Sequence, residues 1–472
     1  MSQRFYVETL GCPKNDVDSD KLVGALLADG MTATDDPSAA DLVVVNTCAF
    51  IEDARRESID TILALDEQRS EASRLVVTGC MAERYGDELA RELPEVDEVA
   101  GFGQAFGLAP AGRDGDEVPT LGRSGAATAT LARSATVSPP STSSSTSTRT
   151  LIPVTAAPLP EFDLLNLPRP ASSVPWAYVK IAEGCDRSCG FCAIPSFRGP
   201  QRSRDVDAIL AEVEQTQARE IVLVAQDLAS YGKDRPDELG AGSIVPLVDA
   251  VASAVDRVRL LYLYPSDLTD ELIDSICRTG VPYFDLSLQH VSKPLLRRMR
   301  RWGDGDRFLA RIDDIRRREP DAAFRSNFIV GYPGETEDDH ERLVDFVERA
   351  QLDWCGFFSY SREEGTHAAD LDGEVPATLV DERLRELREL QDEITASRRD
   401  DLIGSTMSVL VDAVGVGRSH REAPEIDGVV HIGHDEAVGD VVEIEIIDAL
   451  GPDLVAAGAD LTALESDELV GG

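Results

Sequence analysis

The sequence predicts an α/β protein with three units: an N-terminal parallel-sheet α/β domain, a central partial barrel of six β/α units, and a C-terminal small OB-like β-barrel. Three observations predict it. Apolar, β-branched runs alternate with amphipathic helical stretches in two successive series. A Ser/Thr/Ala-rich segment separates those series, and the tail changes to short alternating runs broken by glycines. A chain of 472 residues is long enough for about three domains. The expected divisions are residues 1–110, a linker over 111–170, a barrel over 171–400 and a tail over 401–472.

In the first unit FYVETLGC, DLVVVNTC and RLVVTGC read as strands, with DVDSDKLVGALLADG and IEDARRESIDTILALDEQ as the helices between them. This order predicts a mostly parallel sheet with helices on its faces. Residues 123–150, RSGAATATLARSATVSPPSTSSSTSTRT, cannot bury enough apolar surface to offset ordering entropy, so a disordered insertion is expected inside the linker. From Trp176 the candidate strands are WAYVKIAEG, IVLVAQD, RVRLLYLYP, YFDLSLQH, FRSNFIVGYPG and WCGFFSYS, with helices such as DVDAILAEVEQTQ and ERLVDFVERA between them. Thr336 and Asp339 offer a capping box at the start of the latter. Six units are too few to close an eight-stranded barrel, so an open one is expected. A charged helix, TLVDERLRELRELQDEITASRRDD, follows. STMSVLVDAVG, DGVVHIG and DVVEIEIIDAL then read as strands of the small β-barrel.

Eight cysteines in so long a chain do not make a disulfide scaffold. Neither a charged-then-apolar leader nor an apolar run of about eighteen residues is present, so the expectation is a cytoplasmic protein with reduced thiols and no membrane contact. Three thiols, Cys185, Cys189 and Cys192, lie in EGCDRSCGFCAIP at spacing C-x3-C-x2-C. An all-thiolate zinc site needs four ligands, and no partner C-x2-C exists. A four-iron cube held by three thiolates instead keeps one iron open to a small molecule. Cys185 follows the first barrel strand, at the end where α/β sheets place their sites, and Phe191 is expected to shield the cube.

Cys12, Cys48 and Cys80 are far apart in sequence, yet each ends a strand of the first unit. The carboxyl ends of neighbouring parallel strands share one edge, so these thiols can converge on a second three-thiolate cube, beside helix N-termini that favour thiolates. The alternative is three buried structural cysteines. Cys277 and Cys355 lack such a setting and read as core thiols. With 87 acidic against 46 basic residues the net charge is −41, which disfavours nucleic-acid backbones and suits either a basic partner or plain solubility.

The pattern C-x3-C-x-aromatic-C after a first strand resembles the radical S-adenosylmethionine enzymes. The resemblance implies that S-adenosylmethionine chelates the open iron and that reduction yields a 5′-deoxyadenosyl radical. Taken with the first unit and the tail, the chain is similar to the methylthiotransferases, whose tail is a TRAM domain. That implies two 4Fe–4S clusters: one on Cys185, Cys189 and Cys192 for radical generation, one on Cys12, Cys48 and Cys80 to hold sulfur. S-adenosylmethionine then serves as both radical source and methyl donor. Gln226, Asp227, Gln289 and His290, at the ends of the second and fourth barrel strands, are implied to face the cofactor cavity. Gly331 and Gly334 in NFIVGYPGET would let backbone approach an adenine or ribose. Arg198, Arg202 and Arg204 either pair the cofactor carboxylate or sit on an exposed loop.

GCPKN, AQDLASYG, YPSDLTDEL, FFSYSREEGT and RSHREAPEIDG resemble the RimO-type branch, which acts on the β-carbon of an aspartate of small-subunit ribosomal protein S12. This implies a basic protein substrate and an electron donor such as flavodoxin or ferredoxin, with no direct tRNA substrate. The tRNA-modifying relatives read GCQMN and carry a basic tail. Here, between Leu402 and Gly472, fifteen Asp and Glu stand against Arg418 and Arg421 alone. The competing readings are methylthiolation of a tRNA adenosine and a non-catalytic iron–sulfur protein that docks on the ribosome. Two departures from the branch are the Ser/Thr insertion and the absence of a proline within DLSLQH.

Overall fold

The computed structural model describes residues 2–104, 163–238 and 243–459. The Ser/Thr-rich stretch and most of the expected linker lie outside the described residues.

The first unit is built on β1 (Arg4–Thr9), α1 (Pro13–Ala28), β2 (Thr32–Ala33), β3 (Leu42–Thr47), α2 (Glu52–Gln68), β4 (Arg74–Gly79), α3 (Cys80–Glu92) and β5 (Glu98–Val99). Its sheet is wholly parallel in the order β2-β1-β3-β4-β5. All six residues of β3 are buried, as expected of a central parallel strand covered on both faces. Register aligns Thr9 with Asn46 and Asn46 with Thr78, so β1, β3 and β4 end side by side.

The second unit runs β6 (Trp176–Lys180), β7 (Ala182–Glu183), α4 (Ile194–Arg198), β8 (Arg202–Ser203), α5 (Val206–Thr216), β9 (Glu220–Val224), α6 (Val245–Ala252), β10 (Arg257–Leu260), α7 (Asp270–Cys277), β11 (Tyr283–Gln289), α8 (Lys293–Arg298), α9 (Gly305–Arg318), β12 (Ala323–Val330), α10 (Glu337–Ala350), β13 (Trp354–Ser359) and α11 (Ala377–Asp400). Each of the six expected barrel strands is present. They form two three-stranded parallel sheets, β6-β9-β10 and β11-β12-β13, joined by a single bridge between Leu263 and Leu286. The barrel is therefore open. Alternate residues divide between two faces: Ala177, Val179, Leu223 and Phe284 pack under the helices, whereas Tyr178, Val222, Leu261 and Tyr283 form the inner face. Val17 of α1 and Ala423 of the tail join that inner group, so both neighbouring units help to fill the open barrel. The capping box at Thr336 and Asp339 is formed.

The tail is a closed barrel of β14 (Thr406–Ala413), β15 (Val416–Arg418), β16 (Val430–His431), β17 (Val441–Leu450) and β18 (Asp453–Ala456). The three expected strands are there, and two further ones, β15 and β18, complete it. The segment between β15 and β16 docks beneath the amino ends of the barrel strands. Arg418 reaches Glu220 at 3.4 Å, Tyr178 Oη donates to Pro424 O at 2.9 Å, and Trp354 Nε1 donates to Arg421 O at 2.7 Å. Among the described residues no helix is long and apolar enough to cross a membrane.

Candidate metal centres and cofactor site

The dispersed cysteines are gathered by strand register. Cys12 sits at the N-cap of α1 with Pro13 next, where a missing N–H costs nothing. Cys80 opens α3 directly after β4. Cys48 follows β3 between them, and Ser58 Oγ donates to its carbonyl at 3.1 Å. Asn15 knits the three strand ends together. Its Nδ2 donates to Leu10 O at 2.8 Å and Thr47 O at 3.1 Å, while the Cys80 thiol lies 3.7 Å from its Oδ1. Gly79 holds φ at 92°, and a Cβ there would come within 2.3 Å of Asn46 Oδ1. Only glycine makes this turn, so the entry of Cys80 into the site depends on it.

Burial pushes the Cys48 thiol up to about 12, and Cys12 and Cys80 nearby push the same way. Burial likewise raises Cys80, against the pull of Arg198. The expectation that helix N-termini favour thiolates is thus outweighed for these two thiols: desolvation of a buried anion exceeds a helix-end interaction. Two buried thiols and the half-buried Cys12 beside them fit a cationic iron cube, whose charge supplies what the protein interior withholds.

The contiguous trio occupies the loop between β7 and α4. Cys185 N donates to Gly199 O at 3.0 Å and Cys192 N to Cys189 O at 3.2 Å, which fixes the loop. Burial raises Cys185 to about 11 and Cys192 to about 12, the latter with help from Cys189 and Cys185. Two cations attend this loop. Arg187 N donates to Cys185 Sγ at 3.4 Å, and its side chain pairs with Asp227 at 2.6 Å and with Asp267. Arg301 Nη1 donates to Cys189 Sγ at 3.4 Å. Tyr264 lies between them, 3.9 Å from the Arg187 guanidinium and 4.0 Å from that of Arg301. Phe191 packs on the barrel core beside the loop. Among the described residues no three His, Cys, Asp or Glu side chains close around a point as a single ion would need. A cube, whose thiolates bind different irons, makes no such demand.

Arg198 joins the two sites. It is buried at the end of α4, yet donates to Cys80 Sγ and Asn15 Oδ1 of the first unit, each at 3.0 Å. It also pairs with Asp18 at 3.1 Å and Glu183 at 3.0 Å, and stacks 4.0 Å from the Phe102 ring. Lys180 meets the same two carboxylates. Arg202 is held by Asp163, and Arg204 by Glu212 at 2.7 Å. All three arginines are therefore committed to protein carboxylates, which corrects both sequence readings of them: they are neither an exposed loop nor free to pair a cofactor carboxylate.

The other expected contacts divide. Gln226 Nε2 donates to Glu183 Oε1 at 2.8 Å, and Asp227 carries Arg187, so both stand beside the cysteine loop. Gln289, with φ 70°, ends β11 where the register shifts. His290 does not join them. It follows the phase of Leu286 and Leu288, is fully buried among Asp339, His340 and Arg383, and accepts from Ser292 N at 3.0 Å. Burial lowers its imidazole to about 3. A Cβ on Gly331 would meet Val380 at 2.5 Å and one on Gly334 would meet Arg298 at 3.0 Å, so the chain's own packing accounts for both glycines. Cys277 and Cys355 pack against the barrel core, as expected. Sequence reasoning missed Asn15, Arg187 and Arg301. The first two lie inside the motifs GCPKN and CDRSC and were within reach; Arg301 had no local signal.

Three family models match the chain: an uncharacterized protein family, UPF0004, over residues 4–101, the Radical SAM superfamily over 179–347, and a TRAM domain over 403–458. Curated relatives carry the name ribosomal protein uS12 methylthiotransferase RimO. That of Saccharopolyspora erythraea is 42% identical over 96% of this chain and 95% of its own length, and that of Cutibacterium acnes 41% over 96% and 98%. A solved structure, the radical S-adenosylmethionine methyltransferase TsrM from Kitasatospora setae with cobalamin and a [4Fe-4S] cluster bound, aligns with a TM-score of 0.45 at 14% identity, covering 88% of this chain and 80% of that one. Full-length identity at this level, together with the three matched models, settles the assignment: the chain belongs to the ribosomal protein uS12 methylthiotransferase family of radical S-adenosylmethionine enzymes.

Proposed function

We propose that the protein inserts a methylthio group at the β-carbon of an aspartate of the small-subunit ribosomal protein S12. The observation that carries the proposal is the Arg198 bridge, which ties the helix that follows one cysteine trio to a thiol of the other across the domain boundary. Cys185, Cys189 and Cys192 would hold one 4Fe–4S cube, and Cys12, Cys48 and Cys80 the second. When bound, S-adenosylmethionine and the two cubes supply hydrogen abstraction from an unactivated carbon, sulfur insertion and methyl transfer.

The chain's own residues set the conditions for that chemistry. Arg187, anchored by Asp227 and Asp267, keeps a fixed positive charge beside Cys185. Arg198 does the same beside Cys80 while holding the two units in one register. Val17 and Ala423 close the inner face of the barrel against water. Gln226 and Asp227 are the polar groups placed to meet a cofactor next to the cysteine loop, whereas the packing of His290, Gly331 and Gly334 is accounted for by the chain itself. The units that act together are residues 1–110, 171–400 and 401–472.

The substrate reading rests on charge. Arg418 and Arg421 are the tail's only cations up to residue 459, and both are buried against carboxylates. The described surface of the tail therefore offers acids and apolar groups, such as Ile447 and Leu450, but no exposed Lys or Arg. Such a surface repels phosphate and attracts a basic protein. A low-potential carrier such as flavodoxin or ferredoxin is the expected reductant. Mass spectrometry of ribosomal protein S12 from a deletion strain tests the reading. Loss of one methylthio increment on its aspartate supports it, whereas loss of a methylthio group from tRNA with S12 unchanged defeats it.

A further inference from the structure

The chain carries a net charge of −41, yet the stretch Lys293–Arg307 reverses that sign. It holds six cations, Lys293, Arg297, Arg298, Arg300, Arg301 and Arg307, against Asp304 and Asp306. Lys293, Arg297, Arg300 and Arg307 are exposed. Among the described residues Arg297 and Arg300 make no ion pair, and Lys293 and Arg307 share the one carboxylate of Asp304. Trp302 stands in the middle of these charges, 44% exposed, with the Arg307 guanidinium 5.6 Å from its ring. Beside it a groove of about 480 Å³ runs between α9 and the segment that follows β10, lined by Pro265, Leu268, Trp302, Arg307 and Phe308. Exposed Trp and Arg around a recess lined by Leu268, Phe308, Arg311 and Asp314 include the residue types that dominate binding at protein interfaces.

The position of this patch is what gives it meaning. Gly190, within the cysteine loop, donates to Met299 O at 2.7 Å, and Arg301 donates to Cys189 Sγ. Arg300 turns through the left-handed region, φ 55°, which lets Arg301 face inward to the thiol while its neighbour Trp302 stays exposed. The loop that contacts the cysteine loop from behind is therefore the same loop that displays the unpaired cations. The first unit meets this region through Arg198 at the end of α4, and Lys293, Arg297, Arg300, Trp302 and Arg307 of the patch stay exposed.

We propose that the Lys293–Arg307 face is the docking surface for a small acidic carrier of low-potential single electrons. The proposal rests on the radical reading given above, which consumes one electron for each S-adenosylmethionine cleaved and so needs a donor; the carrier is oxidised by one electron as the cube on Cys185, Cys189 and Cys192 is reduced. Electron transfer falls steeply with distance, which favours a partner seated against Cys189. Opposite charge speeds a transient encounter, and electron-transfer interfaces are small. RNA would also be drawn to these cations, but nothing about RNA binding requires them to back the cysteine loop.

The test uses reconstituted full-length enzyme, native and Arg297→Glu/Arg300→Glu, with reduced flavodoxin, reduced ferredoxin or dithionite as the electron source. Binding of each oxidised carrier to native and variant enzyme is measured separately by calorimetry. The expected result is a fall of about tenfold or more in carrier binding and in carrier-driven 5′-deoxyadenosine formation, the defect mimicked by raised salt, with dithionite-driven formation unchanged. The carrier affected, flavin or iron–sulfur, identifies the donor class. Unchanged carrier binding overturns the proposal, as does an equal loss with dithionite or a loss of ribosomal RNA binding alone. Absence of 5′-deoxyadenosine from native enzyme with dithionite would instead sink the radical reading.

Discussion

The two cysteine trios are brought together by opposite routes. Cys185, Cys189 and Cys192 lie within eight residues and are shaped by one loop, whose own backbone bonds position them. Cys12, Cys48 and Cys80 span the first unit and meet only because β1, β3 and β4 are neighbours in register. The loop trio needs a short segment to be right, whereas the strand-end trio needs a whole sheet. Its integrity is tied to the stability of the domain, and the backbone at Gly79 and the side chain of Asn15 matter as much as the thiols. The loop trio is buttressed from outside, by Arg187 and Arg301, so its environment can be altered without unfolding it.

Breaking each trio in turn should separate their roles. Cys185→Ala is expected to abolish S-adenosylmethionine cleavage, while Cys48→Ala leaves cleavage but no methylthio product, read by 5′-deoxyadenosine and by the mass of the S12 peptide. Equal loss in both would show the trios to be one functional unit. Iron analysis after anaerobic reconstitution sharpens this: roughly eight irons per chain in the native protein and about four in either variant, since each cube carries four. Arg198→Met removes a buried cation shared by Asp18, Glu183 and Cys80, and should cost about 3–5 kcal/mol in chemical denaturation. Arg198→Lys should recover part of that and none of the stacking on Phe102.

Gly79→Ala should cost about 2–4 kcal/mol and lower iron on the strand-end trio alone, because both φ and the contact with Asn46 forbid a side chain. Gly30→Ala, at φ 84° with open space around it, should cost only about 1 kcal/mol. The smallest effect concerns pH. Burial alone would raise Glu220, but Arg259, Arg418 and Arg257 outweigh it and hold the carboxyl well below the usual range. A depressed carboxyl adds stability above its unfolded value of 4.5, and that stability is lost as pH falls below it. Glu220→Gln should flatten the fall in thermal stability below about pH 4.5; an unchanged slope would mean that the tail's anchor does not titrate.

The sequence by itself determined the main strands and helices and their order, the openness of a six-unit barrel and the closed tail, because periodicity and spacing are local properties of a chain. It could not say where long charged side chains go. Arg198, Arg202 and Arg204 read equally well as loop residues or cofactor clamps, and became ties within the protein, Arg198 and Arg204 buried and Arg202 half-buried, only once Asp18, Asp163 and Glu212 were brought against them. The family resemblance implies a cavity position for His290, but the phase of Leu286 and Leu288 turns it beneath α10. Arg301 stands 112 residues from the thiol it contacts. Backbone preference is written in a few neighbouring residues, whereas the partner of a buried charge is chosen by whatever the fold delivers within about 4 Å, and only the tertiary structure decides that.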